Sequence, residues 1–168
     1  MNEEDIRTFV EAAKSTPYYA FFHLLLYTGL RRSEALALRW SDVDLLLGQV
    51  SVSRSLHLVR GELIFRSPKT AKGRRVVALP PSATLVLREH RKQQEAMSAT
   101  LGTSLEDSSL VFCHLDGTPL RPDIVTHAWV KLERKTGIDG VRLHDARHTH
   151  ASLMLKHRGF TQRSFKNA

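Results

Sequence analysis

With 168 residues, 42% of them hydrophobic and 25% charged, the chain has the length and composition of one globular domain and is not a disordered segment. No apolar run approaches the ~20 residues that span a bilayer, and the acidic first residues are unlike a signal peptide, so we expect a cytoplasmic protein with no membrane partner. The single cysteine, Cys113, excludes an internal disulfide and is expected to be a buried structural thiol, whereas the net charge of +8 favours a polyanionic partner.

Helices are predicted for the first part of the chain. Residues 3–14 place apolar side chains at helical spacing, and residues 18–27 form a second helix that ends at Gly29. The second helix is apolar over so much of its surface that we expect it to be the central buried helix. A short helix is predicted for residues 33–38, which places Arg31 near a helix start at the edge of the core.

The pattern then changes from helical spacing to short, β-branched and partly alternating segments. Residues 49–56, 62–66 and 75–79 are separated by glycine-containing turns. They predict a three-stranded antiparallel sheet. The second connection is a basic loop that contains Lys69 and Lys72.

Further helices are predicted for the second half of the chain. Residues 83–98 are highly charged, with few apolar side chains such as Leu85, Val86 and Met97, so this helix is expected to be peripheral. A polar loop covers residues 99–109, and helices are predicted for residues 121–136 and from His144 to about residue 156. The fold class is therefore mainly α with a small three-stranded antiparallel β-sheet.

The positive charge is concentrated in two segments. Residues 54–92 hold ten Lys and Arg against two acidic residues, and this segment alone carries +8. Residues 142–168 hold six basic residues against one acidic residue. Two localised basic segments favour nucleic acid as the partner, and the alternative is an ordinary solvated basic surface.

Two motifs contain residues suited to phosphate chemistry. Arg31 follows a helix-stopping glycine, and its planar guanidinium can hold two phosphate oxygens. His144 and Arg147 share a helix face at i and i+3, so an imidazole and a guanidinium can address one phosphate. His144 and His148 have the i, i+4 spacing of a metal pair, but no carboxylate or cysteine completes such a site, so we expect no metal.

The order of the motifs resembles a known family. The first motif is Thr28-Gly29-Leu30-Arg31-x-Ser33-Glu34. The basic hairpin with Lys69 comes next, and the last motif is His144-x-x-Arg147-His148-Thr149-x-Ala151. Together they resemble the catalytic domain of the tyrosine recombinases, or phage integrases. The resemblance implies DNA integration and recombination of mobile elements, through a 3′-phosphotyrosine and without cofactors. The implied partners are double-stranded DNA and full-length recombinase protomers.

The resemblance also implies roles for individual residues. Two arginines would hold the non-bridging phosphate oxygens, a lysine would protonate the leaving 5′ oxygen, and a histidine would transfer or position a proton. The implied catalytic residues are Arg31, Lys69, His144 and Arg147. Supporting roles fall to Glu34, which orients the arginine site, to Lys72, the rival of Lys69, and to His148. The expected contacts to the DNA backbone are Arg32, Arg66, Arg74 and Arg75.

The nucleophilic tyrosine of the family has no counterpart in this sequence. The tyrosines Tyr18, Tyr19 and Tyr27 all precede Arg31 and fit core or interface positions. We therefore expect residues 1–155 to be an incomplete tyrosine-recombinase catalytic domain whose C-terminal part is missing, and residues 156–168 to be an aberrant, disordered tail. The codons that can encode residues 160–168 also allow, in another reading frame, an amino-acid segment of the kind that the family has after its His-x-x-Arg helix. Our hypothesis is therefore a frameshifted or otherwise truncated integrase reading frame.

Three functions stay open. The first is a recombinase fragment that carries the phosphate-binding pocket but cannot cleave DNA alone. The second is a non-catalytic DNA-binding module or an inhibitor of a full-length integrase. The third is an unrelated metal-independent phosphodiesterase, for which His90 and Lys92 supply half a motif but Met97 replaces the required aspartate.

Overall fold

The computed structural model describes residues 2–67, 74–138 and Leu143. The predicted loop with Lys69 and Lys72, the helix predicted from His144 and the expected tail lie outside the described residues. In chain order the elements are α1 (Glu3–Ala13), α2 (Tyr19–Thr28), α3 (Arg32–Ala35), a 3₁₀ helix (Trp40–Asp42), β1 (Val43–Asp44), β2 (Gln49–Val52), β3 (Ser55–Val59), β4 (Glu62–Arg66), β5 (Arg75–Ala78), α4 (Pro81–Thr100) and α5 (Pro122–Thr136).

Local capping fixes the ends of the first two helices. The Asn2 side chain accepts a hydrogen bond from the Asp5 N–H, and the Asp5 carboxylate accepts one from the Asn2 N–H, both at 2.8 Å, so α1 begins with a capping box. α2 ends at Gly29, whose φ of 66° lies in the left-handed region that glycine adopts without strain. Most side chains of α2 are buried, which confirms the prediction of a central helix.

An aromatic cluster joins α1, α2 and α5. The rings of Phe9 and Trp129 have centroids 4.2 Å apart, and Phe22 lies 5.9 Å from Phe9 and 5.4 Å from Trp129. On α5 the buried residues include Val125, Trp129 and Leu132, which is the face that helical spacing predicts. These contacts hold α5, and with it one wall of the site described below, against the N-terminal helices.

The sheet has three antiparallel strands, as predicted, but their identity differs from the prediction. It is built from β1, β2 and β5 in the order β1-β2-β5, whereas β3 and β4 form a separate hairpin. The predicted strand 49–56 is interrupted at Arg54, whose guanidinium donates to Asp42 at 3.1 Å. Every second residue of this segment, Val50, Val52 and Leu56, is buried, but the series has an arginine at position 54. The alternation of buried and exposed side chains is therefore interrupted at Arg54, and the chain leaves the sheet there.

α4 buries only two of its twenty residues, which agrees with a peripheral helix, but its core contacts are not the predicted side chains Leu85 and Met97. Those two side chains are exposed, and the buried residues of α4 are Ala83 and Leu87, on the face that packs against α2. The same face continues with His90, whose Nε2 forms a 2.7 Å hydrogen bond with the Val111 carbonyl. Polar side chains that find backbone partners are therefore part of this interface, which an apolar pattern does not show.

The segment after α4 packs against that helix. The Gln94 side chain accepts a hydrogen bond from the Trp40 indole at 2.8 Å and donates to the Val111 carbonyl at 3.1 Å. Cys113 is half-buried beside Gln94, and burial raises the pKa of its thiol, which is consistent with a structural rather than a nucleophilic cysteine. Within the described ranges, no helix has both the length and the apolar character needed to cross a membrane.

Candidate functional site

Arg31 is held at a fixed turn between α2 and α3. The Thr28 hydroxyl donates to the Leu24 carbonyl at 2.6 Å and accepts the Leu30 N–H at 3.4 Å, so the chain leaves α2 in one defined direction. Leu30 is buried, and Arg31 is the extended N-cap residue of α3. The turn thus anchors the backbone of Arg31 in the core while its side chain stays 55% exposed.

A buried carboxylate lies between two guanidinium groups. Glu34 accepts hydrogen bonds from the Arg31 N–H at 2.8 Å and from Arg31 Nη1 at 2.9 Å. Arg75 binds the same carboxylate through both of its terminal nitrogens, Nη1 to Oε1 and Nη2 to Oε2, each at 2.8 Å. The Glu34 side chain is only 7% exposed, so these charge-assisted hydrogen bonds are shielded from water.

Together, Glu34, Arg31 and Arg75 carry one net positive charge. Burial by itself would raise the pKa of Glu34, but the hydrogen bonds from Arg75 and Arg31 outweigh burial and lower that pKa to about 2. The bond to Glu34 raises the pKa of Arg75. At neutral pH one carboxylate therefore faces two cations, and Arg31 uses only Nη1 among its side-chain donors in this pair.

Arg31 lines a cavity of about 620 Å³ that lies between the α2–α3 turn, β3 and α5. Its polar wall holds side chains that can carry positive charge or donate hydrogen bonds, which suits an anionic ligand. The lining residues are Leu30, Arg31, Arg32, Ser33, Leu56, His57, Leu58, Pro122, Asp123, Thr126, His127 and Leu143.

Two side chains of the cavity wall are fixed by hydrogen bonds. Arg32 Nη1 donates to the Thr126 hydroxyl at 2.6 Å, and this hydroxyl donates to the Pro122 carbonyl at 2.8 Å, so α3 is tied to α5. His57 Nε2 and the Ser55 hydroxyl are 2.8 Å apart along β3. Asp123 is the one carboxylate among the described lining residues, and it accepts hydrogen bonds at 3.2 Å from Arg121, which does not line the cavity.

The structure brings together some of the residues expected from the sequence. Arg31 and Arg32 line the cavity, and the buried Glu34 binds Arg31. The Arg75 guanidinium, which was expected to contact the DNA backbone, binds Glu34 instead. Arg66 and Arg74 are exposed. Lys69, Lys72, His144, Arg147 and His148 lie outside the described residues, but Leu143, which precedes His144 in the sequence, is buried and lines the cavity.

Four polar residues of the cavity were not predicted from the sequence: His57, Asp123, Thr126 and His127. The alternation of β3 does not single out His57, because its neighbours Leu56 and Leu58 line the cavity as well. Thr126 and His127 lie beside Val125, which is buried on the core side of α5, and nothing in the sequence distinguishes them from solvated helix residues.

Comparison with known proteins identifies the family to which this chain belongs. Residues 1–163 match the phage integrase family, so the chain belongs to that family, as the motifs indicated. The ICEBs1 integrase of Bacillus subtilis is 30% identical over 142 residues, which are 84% of this chain and 38% of that protein. The XerC-like tyrosine recombinase of Caldanaerobacter subterraneus is 28% identical over 167 residues, 92% of this chain and 43% of that protein. The chain thus spans about two fifths of these relatives.

Solved structures agree with this assignment. XerA recombinase superposes with a TM-score of 0.74 at 26% identity, covering 94% of this chain and 49% of that chain. The Tn1549 transposon integrase, in complex with a circular intermediate DNA, has a TM-score of 0.77 at 19% identity and covers 93% and 52%. The predicted fold class, mainly α with a small three-stranded sheet, is therefore confirmed.

Proposed function

We propose that this chain binds double-stranded DNA and holds one backbone phosphate at Arg31, as the phosphate-binding part of a site for DNA integration or site-specific recombination. The observation that carries the proposal is a half-exposed guanidinium, fixed by the buried Glu34, on the wall of a cavity otherwise rich in donors. A guanidinium binds phosphate in a bidentate manner, which an ammonium group does not.

In the proposed reaction a tyrosine oxygen attacks the phosphorus and the bond from phosphorus to the 5′ oxygen breaks. Arg31 and Arg147 stabilise the negative charge of the pentacoordinate transition state, and His144 acts in proton transfer. Lys69, or its neighbour Lys72, gives a proton to the leaving 5′ oxygen. The position of Leu143 on the cavity wall supports this assignment, because His144 follows it directly in the chain.

A polypeptide of these 168 residues is proposed to bind DNA without cleaving it alone. Its tyrosines are Tyr18, Tyr19 and Tyr27, and all three rings pack against the core and are absent from the lining of the cavity. The tyrosine would come from a full-length recombinase protomer. A non-catalytic DNA-binding module is the second candidate, favoured by the exposed side chains of Arg66 and Arg74.

Binding to a fluorescent DNA duplex, followed by anisotropy over a range of salt concentrations, tests the phosphate site. Arg31→Ala should weaken binding about tenfold and lower the slope of log K against log salt by about 1, because one phosphate contact is lost. Arg91→Gln is the matched control, since it also removes one positive charge but from a residue paired with Glu95 and Asp107. Equal effects of the two substitutions would contradict the proposal.

A nicked duplex tests the absence of cleavage. Such a substrate traps a covalent protein–DNA adduct when a tyrosine attacks, because the short leaving strand diffuses away. We expect no adduct on denaturing gels with this chain alone, at DNA concentrations where anisotropy shows full binding. An adduct would show that one of the three tyrosines, or another nucleophile, reaches the phosphate.

A further inference from the structure

Arg75 binds Glu34, the carboxylate that holds Arg31, through two hydrogen bonds. We propose that Arg75 is a positioning residue for the phosphate site, which acts through Glu34 to hold the Arg31 guanidinium in place and to keep its charge available to a DNA phosphate. The inference rests on the proposed function, because it concerns how the same arginine is prepared for its ligand.

The geometry favours Arg75 as the principal partner of the carboxylate. Its two terminal nitrogens bind the two oxygens of Glu34 side by side at 2.8 Å each, whereas the Arg31 side chain makes one bond at 2.9 Å. The Arg75 side chain is 32% exposed and its two Nη groups are engaged, so it is poorly placed to contact the DNA backbone itself. Arg31 is the more exposed of the two, at 55%.

The charge balance explains what Arg75 contributes. Glu34 without Arg75 would form a one-to-one ion pair with Arg31, and a DNA phosphate would have to compete with a buried carboxylate for the guanidinium. With Arg75 in place, the carboxylate is already neutralised and the Arg31 charge is left over. The Arg31 backbone N–H, bound to Glu34 at 2.8 Å, places the same carboxylate against the turn that carries Arg31.

The location of Arg75 also links two parts of the site. Arg75 is the first residue of β5 and pairs with Val52 of β2, so its backbone is held by the sheet. In the sequence it closes the connection from β4 that contains Lys69 and Lys72. The bond to Glu34 therefore ties the end of that connection to α3, 41 residues earlier in the chain.

The experiment compares Arg75→Gln with the double variant Glu34→Gln/Arg75→Gln in the duplex-binding assay. Arg75→Gln leaves Glu34 paired with Arg31 alone, and we expect about tenfold weaker binding, the equivalent of one charged hydrogen bond. The double variant removes the carboxylate charge as well, while the amide oxygen of the substituted side chain can still accept a hydrogen bond from Arg31, so binding should return to within about threefold of wild type. Arg75→Lys keeps the balancing charge and should also bind within about threefold of wild type.

The outcomes separate the inference from the proposed function. All variants are assayed below the onset of thermal unfolding, which is followed by circular dichroism, and Arg91→Gln measures the effect of losing one charge elsewhere. If the double variant or Arg75→Lys binds as weakly as Arg75→Gln, then Arg75 does not act by balancing Glu34 and the inference is overturned. If Arg31→Ala binds like wild type, the proposed phosphate site itself is wrong.

Discussion

Glu34 and His23 are both buried titratable residues, but the fold surrounds them differently. Glu34 is bound by two guanidiniums and stays ionised, because the hydrogen bonds it accepts outweigh the cost of burial. His23 lies on the central helix α2 with its ring stacked on Tyr27 at 4.4 Å, and its buried Nδ1 has no hydrogen-bond partner among the described residues. Burial lowers the pKa of His23 to about 4, so the folded protein keeps this imidazole neutral.

The His23 environment makes stability depend on mildly acidic pH. In the unfolded chain His23 takes up a proton near its ordinary pKa of 6.5, whereas in the folded protein it does so only near 4. Between these values the unfolded state binds more protons, so the free energy of unfolding should fall as the pH is lowered, by up to about 3 kcal/mol. Urea denaturation at several pH values in this window measures the decrease.

A substitution isolates the contribution of this histidine. His23→Phe keeps an aromatic ring at the buried position and removes the titration, so most of this pH dependence should disappear. His114→Gln is the control, because His114 is exposed and the dependence should remain. If His23→Phe retains the full wild-type slope, another group is responsible.

At the scale of single elements, α4 offers a test within one helix. Leu87 is 1% exposed and faces the core, whereas Leu85, two residues earlier, is 63% exposed. Leu87→Ala should lower the free energy of unfolding by about 2–5 kcal/mol, because it removes buried apolar surface and leaves a cavity. Leu85→Ala should change it by no more than about 0.5 kcal/mol. Urea denaturation of both variants distinguishes this packing from the core contact at Leu85 that the apolar pattern predicts, for which Leu85→Ala would be the more destabilising substitution.

The β3–β4 hairpin contains a strained turn at its tip. Arg60 has a φ of 51° and is followed by Gly61 with a φ of 87°, so both turn residues are left-handed, as in the tightest hairpin turns. Asparagine tolerates this conformation better than arginine, and Arg60→Asn should raise the free energy of unfolding by about 0.5–1 kcal/mol. Arg66→Asn also removes a charge, but from a strand residue with ordinary backbone angles, and should give no gain. A gain of similar size in both variants would assign the effect to charge rather than to the turn.

The same elements show how far a sequence carries the prediction of structure. The ends of α2 and α5 were predictable because Gly29 and Gly137 stop helices by local backbone geometry. The buried face of α4 was not, because its partners are carbonyl groups of a segment that only the tertiary fold brings close. The pairing of Glu34 with Arg75 was hidden for the same reason, since the two residues are 41 positions apart and any of several arginines could have been the partner.

At the scale of the whole molecule, some arginines of the basic segment 54–92 bind carboxylates and others do not. Arg54, Arg75 and Arg91 bind carboxylates and so contribute little free charge. Arg66 and Arg74 are exposed, and no side-chain hydrogen bond or ion pair connects either to another described residue. The sequence locates the charge in this segment, but only the ion pairs show which part of it is available to a polyanion.

This division predicts which charges govern the salt dependence of DNA binding. Arg66→Gln/Arg74→Gln and Arg54→Gln/Arg91→Gln each remove two positive charges, so they change net charge equally. If available cations displace counterions from DNA, the first pair should lower the slope of log K against log salt by about 2, whereas the second should lower it by less than about 0.5. Anisotropy titrations of the same duplex measure both slopes, and thermal unfolding confirms that each variant is folded at the assay temperature. Equal slopes for the two double variants would mean that only the net charge of the protein determines the salt dependence. The ion pairs with Asp42, Glu95 and Asp107 would then not reduce the contribution of Arg54 and Arg91 to DNA binding.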